Sequence, residues 1–170
     1  MTPGNAATDS AATGVRMEAS LLSRFLAETQ RACPAKQFGY FLATRPGGDP
    51  EEYILMGDNV RDSWADDFRS YGRYFEEHDD AGFVCSPQET YRVQRYIRDH
   101  GLHTVGVFHS HRRHPALLTS VDADLHPSAD LWHLIVMLRN PLYPQVRAFR
   151  LESGKYVREM DVTTHAGEPR

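Results

Sequence analysis

The chain has 170 residues, 19 Lys and Arg against 23 Asp and Glu, a net charge of -4 with neutral histidines, and two cysteines. That length gives one domain with a core of its own, and the acidic balance offers no broad attraction for a phosphate backbone, which excludes nucleic acid as the primary partner. Cys33 and Cys85 form neither a Cys-x-x-Cys pair nor a disulfide framework, no apolar run approaches the roughly 20 residues of a bilayer span, and the N-terminus lacks a basic stretch followed by an apolar block, so the expectation is a cytoplasmic protein with no membrane association.

In chain order, residues 1–15 are mostly Ala, Thr, Gly, Ser and Asn and read as a disordered leader with little to bury. Leu21, Leu22, Phe25, Leu26 and Ala32 recur at helical spacing, predicting an amphipathic helix from Met17 to Ala32 with Pro34 beyond it as a stop. Phe38 to Ala43 and Tyr53 to Met56 read as paired strands around an Arg-Pro-Gly-Gly turn. Asp58 to Ser86 is acidic, aromatic and weakly periodic, and predicts a surface loop or lid with some helix. A Ser-Pro start signal at Ser86 and a stop at Gly101 bracket a second helix. Leu102 to His109, Trp132 to Leu138, Val146 to Leu151 and Tyr156 to Val162 are further β-rich runs. The whole predicts an α/β fold, a mixed central sheet flanked by helices, in a single domain over 16–163 with a polar tail over 164–170.

Seven of the nine histidines fall between His100 and His133. In Val105-Gly-Val-Phe-His-Ser-His111 two of them stand two apart at the end of a strand-like run, so both side chains project from one face and can converge on one ion. Asp122, eleven residues on, follows Thr-Ser-Val at what reads as a helix start, and offers a third ligand. Two His and one carboxylate leave a fourth tetrahedral position open, the pattern of a catalytic zinc site. The remaining histidines, His100, His103, His126 and His133, are expected to satisfy hydrogen bonds, and both cysteines to be buried structural thiols. Arg112, Arg113 and His114 are candidates to meet a substrate carboxylate, or else are solvated.

The segment His109-Ser-His111, seven residues, Thr119-Ser-Val-Asp122 resembles the JAMM, or MPN+, metalloprotease motif His-x-His-x7-Ser-x-x-Asp. The order of elements from about Ala19 to Val162 is similar to that of small bacterial members acting on ubiquitin-like sulfur-carrier proteins. The resemblance implies a JAMM-like, cytidine-deaminase-like domain, Zn²⁺ held by His109, His111 and Asp122, and a Thr119 hydroxyl assisting the tetrahedral intermediate. It also implies hydrolysis of an amide bond at the C-terminus of a ubiquitin-like or sulfur-carrier protein, and admits a homodimer. One position departs. Where the family has its general-base Glu in Pro-x-Glu-x-x-Gly, this chain has Pro34-Ala-Lys36-Gln-Phe-Gly39, and a protonated Lys accepts no proton. Three outcomes stay open: a substitute carboxylate such as Glu76, Glu77 or Glu89, a neutral Lys36 acting as base, or a module that binds a partner without hydrolysis. Metal-dependent hydrolysis of a small molecule fits the same ligands.

Overall fold

The computed structural model describes residues 14–78, 81–152 and 156–167; the expected leader lies outside them as far as residue 13. The elements run β1 (Gly14–Glu18), α1 (Ala19–Ala32), β2 (Phe38–Ala43), β3 (Glu52–Met56), a 3-10 turn (Arg61–Trp64), α2 (Ala65–Arg69), α3 (Arg73–Glu77), α4 (Pro87–Asp99), β4 (His103–His111), α5 (Ser120–Asp124), β5 (Trp132–Met137), β6 (Gln145–Leu151) and β7 (Val157–His165). The strands form one curled seven-stranded sheet in the order β1-β7-β6-β5-β4-β2-β3. It is mixed: β1 with β7 and β4 with β5 are parallel, and the other pairs are antiparallel.

Helix α1 covers one face of the sheet. Leu21 and Phe25 are buried, and the Phe25 ring lies 4.7 Å from Phe108 and 4.9 Å from Phe41, centre to centre. Burying such a ring is worth about 1.5–3 kcal/mol. Gly106 has no room for a side chain: a Cβ there would come within 2.4 Å of the Trp132 indole, its cross-strand neighbour. The opposite face is shared. Helix α4, capped by the Ser86 hydroxyl accepting from the Glu89 N–H at 3.2 Å, presses Val93 and Ile97 onto Phe38, Leu42 and Met56. Ala116 packs on Ile135 and Phe149 at the other end. His109 lies between these two clusters, because its cross-strand neighbours are Phe38 and Ile135.

Two boundaries differ from the expectation. Residues Gly14 to Glu18 form a strand, with Val15 and Met17 buried in alternation, so the helix begins at Ala19 rather than Met17. Strand β1 exists because β7, which runs to His165, offers it a parallel edge from Asp161 onward. Neither segment carries that pairing in its own residues. The acidic stretch after β3 is part helix, as expected, but in three pieces of four or five residues, closed at its base by a bridge between Asn59 and Cys85. Among the described residues no helix is long and apolar enough to cross a membrane.

Candidate metal centre

The two histidines reach the site from adjacent outward positions of β4, where they are 0% and 6% exposed. Asp122 comes from the first turn of α5. Thr119 caps that helix: its hydroxyl accepts from the Asp122 N–H at 3.2 Å, while its own N–H and O–H both donate to Asp122 Oδ2, at 2.9 and 2.6 Å. This reciprocal box fixes the carboxylate and leaves Oδ1 turned toward His109, with Oδ2 the nearer oxygen to His111. His109 Nε2 lies 2.7 Å from His111 Nε2 and 3.1 Å from Asp122 Oδ1, and His111 Nε2 lies 3.7 Å from Asp122 Oδ2.

These spacings fit a metal ion. Nitrogen or oxygen ligands at about 2.0–2.1 Å from a tetrahedral zinc stand about 3.3 Å apart, and the separations of 2.7, 3.1 and 3.7 Å, the last two to different oxygens of Asp122, bracket that value. The donor chemistry agrees. His111 Nδ1 is 2.7 Å from the Pro115 carbonyl, which only accepts, so Nδ1 carries the proton and Nε2 presents its lone pair. Burial holds His109 below the ordinary imidazole value, an effect that Asp122 opposes and Lys36 reinforces. His111 is pushed down to about 3 by burial, then by His109 and Lys36. Burial raises the Asp122 carboxyl, but His109 and the Thr119 bonds outweigh it and hold it well below the usual carboxylate range. Neutral imidazoles beside an ionised carboxylate are the protonation states a divalent ion needs. His109, His111 and Asp122 form a buried group that can hold a metal.

Lys36 faces this group. Strand β4 grips its neighbour: the Gln37 N–H donates to Ser110 Oγ at 2.9 Å and the Ser110 N–H to the Gln37 carbonyl at 2.7 Å. Ser110 thus points away from the ligands, as the strand alternation requires, and ties the Lys36 segment to them. Lys36 lines a small cleft with His111, Thr119 and Asp122, its Nζ 5.7 Å from the centre of the Phe83 ring. The volume of the cleft, about 20 Å³, admits a water-sized group. Its roof is Tyr74, Phe75, Ala81 and Gly82 from the acidic segment, and its rim includes Arg112 and His114.

The proposed substitute carboxylates are elsewhere. Glu89 accepts from the Asp58 N–H at 2.6 Å and pairs with Arg92, Glu77 pairs with Arg73, and no glutamate lines the cleft among the described residues. Arg113 is exposed. Both cysteines are half-buried rather than fully buried, and burial pushes the Cys85 thiol up, which suits an unreactive side chain. His103 is exposed, and His100, also exposed, makes the expected hydrogen bond, its Nδ1 2.9 Å from the Tyr96 carbonyl. His133 was expected only to satisfy a hydrogen bond, and its partner is one of the candidate ligands: its Nε2 sits 2.7 Å from His109 Nδ1. Nothing in the sequence spacing marks that contact, which arises because β5 lies parallel beside β4.

No family model and no curated protein matches the sequence. Solved structures do. A protein from Desulfitobacterium hafniense is 21% identical, with a TM-score of 0.67 over 90% of this chain and 94% of its own. A protein from Salinibacter ruber is 20% identical, with a TM-score of 0.60 over 92% and 95%. A JAB1/MPN domain protein from Archaeoglobus fulgidus is 13% identical, with a TM-score of 0.51 over 91% of this chain and all of that one. The chain has the fold of a JAB1/MPN domain. At these identities the likeness extends to the JAB1/MPN fold alone, and the chemistry rests on the side chains.

Proposed function

We propose that the protein is a zinc-dependent hydrolase of the JAMM type that cleaves an amide bond at the C-terminus of a ubiquitin-like or sulfur-carrier protein. The observation that carries this reading is the convergence of His109, His111 and Asp122 into one buried group able to hold a metal ion, two of whose members, His111 and Asp122, line the cleft. A bound Zn²⁺ supplies Lewis acidity there, polarising a carbonyl and lowering the pKa of water toward 7. The chain's own residues do the rest. His109, His111 and Asp122 hold the ion. Thr119 has one hydroxyl proton and directs it at Asp122, so it acts through the orientation of that ligand before any contact with an oxyanion. Lys36 is the one side chain at the family's general-base position and it borders the cleft; as a neutral amine it accepts a proton at Nζ, as an ammonium it holds an anionic substrate group. The segment roofing the cleft is the part a carrier tail must displace, since the space beneath it is water-sized.

Lys36 also favours a second reading, a module that keeps the metal and binds a carrier without cleaving it. One experiment separates the two. Purified protein and His109→Ala are assayed for metal by mass spectrometry, and both are given a carrier protein fused through its C-terminus to cysteine. Stoichiometric zinc and cleavage, both lost in the variant, support the hydrolase. Zinc and carrier binding without cleavage support the module, and absence of zinc from the wild type refutes both. Lys36→Met then tests the base: unchanged turnover removes Lys36 from proton transfer.

A further inference from the structure

Behind His109 a file of imidazoles leads away from the centre. His109 Nδ1 meets His133 Nε2 at 2.7 Å, His133 Nδ1 meets His126 Nδ1 at 3.2 Å, and His126 Nε2 meets the Leu131 carbonyl at 3.1 Å. His109 and His133 are buried and His126 half-buried. The direction of every bond in the file follows from its end. A carbonyl oxygen only accepts, so His126 Nε2 carries the proton and its Nδ1 is an acceptor. His133 Nδ1 must then donate, which leaves His133 Nε2 as an acceptor, and His109 Nδ1 must donate to it. The lone pair of His109 is thereby confined to Nε2, the atom that faces His111 and Asp122. In a neutral imidazole one ring nitrogen donates and the other accepts, so each bond in the file sets the next.

We infer that His133 and His126 are positioning residues of the metal centre: with the Leu131 carbonyl they lock His109 in the tautomer that presents Nε2 as a ligand. The inference rests on the metal-centre reading above, yet it has content without the ion, because an alternative tautomer stands ready. A His109 protonated at Nε2 donates to His111 Nε2, 2.7 Å away, or to Asp122 Oδ1, 3.1 Å away, and such a ring is no ligand. What disfavours it is the acceptor behind Nδ1. Partners that orient ligand histidines commonly account for about 10- to 100-fold in metal affinity when removed.

The test compares full-length wild type with His133→Gln, whose side-chain oxygen still accepts from His109 Nδ1, and His133→Leu, whose side chain does not. The His109 tautomer is read by nitrogen-15 NMR in chelated protein, and zinc affinity by competition against a chelating dye. Expected are the Nδ1–H tautomer in wild type and His133→Gln, a shift toward Nε2–H in His133→Leu, and zinc binding about 10- to 100-fold weaker in His133→Leu but within a few-fold of wild type in His133→Gln. Loss of packing alone would weaken binding without moving the tautomer. If His133→Leu fails to fold, His126→Phe, nearer the surface, is expected to shift the tautomer in the same direction by less. A wild type with the Nδ1–H tautomer but no zinc would refute the metal reading and leave the lock standing. A folded His133→Leu, or a folded His126→Phe in its place, that keeps the Nδ1–H tautomer overturns the lock.

Discussion

The ligands and their cover are built on different principles. His109 and His111 sit on β4, paired on both sides by β2 and β5, and Asp122 is fixed by a capping box; their positions follow from backbone ladders and from packing against Phe38 and Ile135. The covering segment has two five-residue helices and little core. It hangs on Arg61, 7% exposed, whose guanidinium donates to the carbonyls of Phe75, His78 and Ala81 and lies 5.2 Å from the centre of the Phe68 ring. A sheet fixes ligand atoms through paired strands; the covering segment is held by the Arg61 clasp and by the mutual packing of the Phe68, Tyr71 and Phe75 rings, with no strand ladder of its own among the described residues. The difference puts the candidate ligands on the rigid part of the molecule and the cover on the part built from short helices.

Each half can be broken separately. The largest effect is expected from His109→Ala, which should abolish stoichiometric metal by mass spectrometry. Chelation of the wild type should lower its melting temperature by about 5–10 °C, the loss of roughly 2.7 kcal/mol that an ion at a hundred times its Kd contributes. Arg61→Ala strikes the other half. It should cost about 2–3 kcal/mol, since hydrogen bonds from a charged donor to three carbonyls are lost, and speed amide exchange across 58–83 while β4 stays protected and zinc stays bound. Equal exchange in both regions would show the roof to be part of the core.

Acid should act through the ligand half. Without metal, burial and the neighbouring His109 and Lys36 push His111 down to about 3, while in the unfolded chain it takes up its proton near the ordinary 6.5. The unfolded state therefore binds more protons between those values, and the contribution is full well above pH 6.5 and falls as the pH drops toward 3, by about 1 kcal/mol for His111 between pH 7.5 and 6. Urea midpoints across that range measure it. Thr119→Val should remove about 1 kcal/mol through the lost cap and weaken zinc binding, with Thr119→Ser restoring both. The smallest effect is expected from Lys36→Met, which removes a charge that depresses both histidines and should tighten zinc binding by about fivefold, or ~1 kcal/mol; unchanged affinity would place the ammonium too far from the ion to matter.

Residue patterns gave the helices α1 and α4 and the run Phe38 to Ala43 to its last residue, and together with the resemblance to the JAMM motif they gave the three candidate ligands, because periodicity, caps and motif spacing are local properties that survive in a linear text. Their limits showed where a partner was needed. Val15 and Met17 alternate like a strand, but a five-residue edge is stable only beside β7, and that neighbour is more than 140 residues away in sequence. The sequence determined which atoms could bind a metal. Only the tertiary structure decided that Lys36 faces them, that Glu76, Glu77 and Glu89 do not, and that His133 and His126 stand behind His109. Those facts depend on which strands lie side by side, and strand order is settled by burial summed over the whole sheet rather than by any one segment.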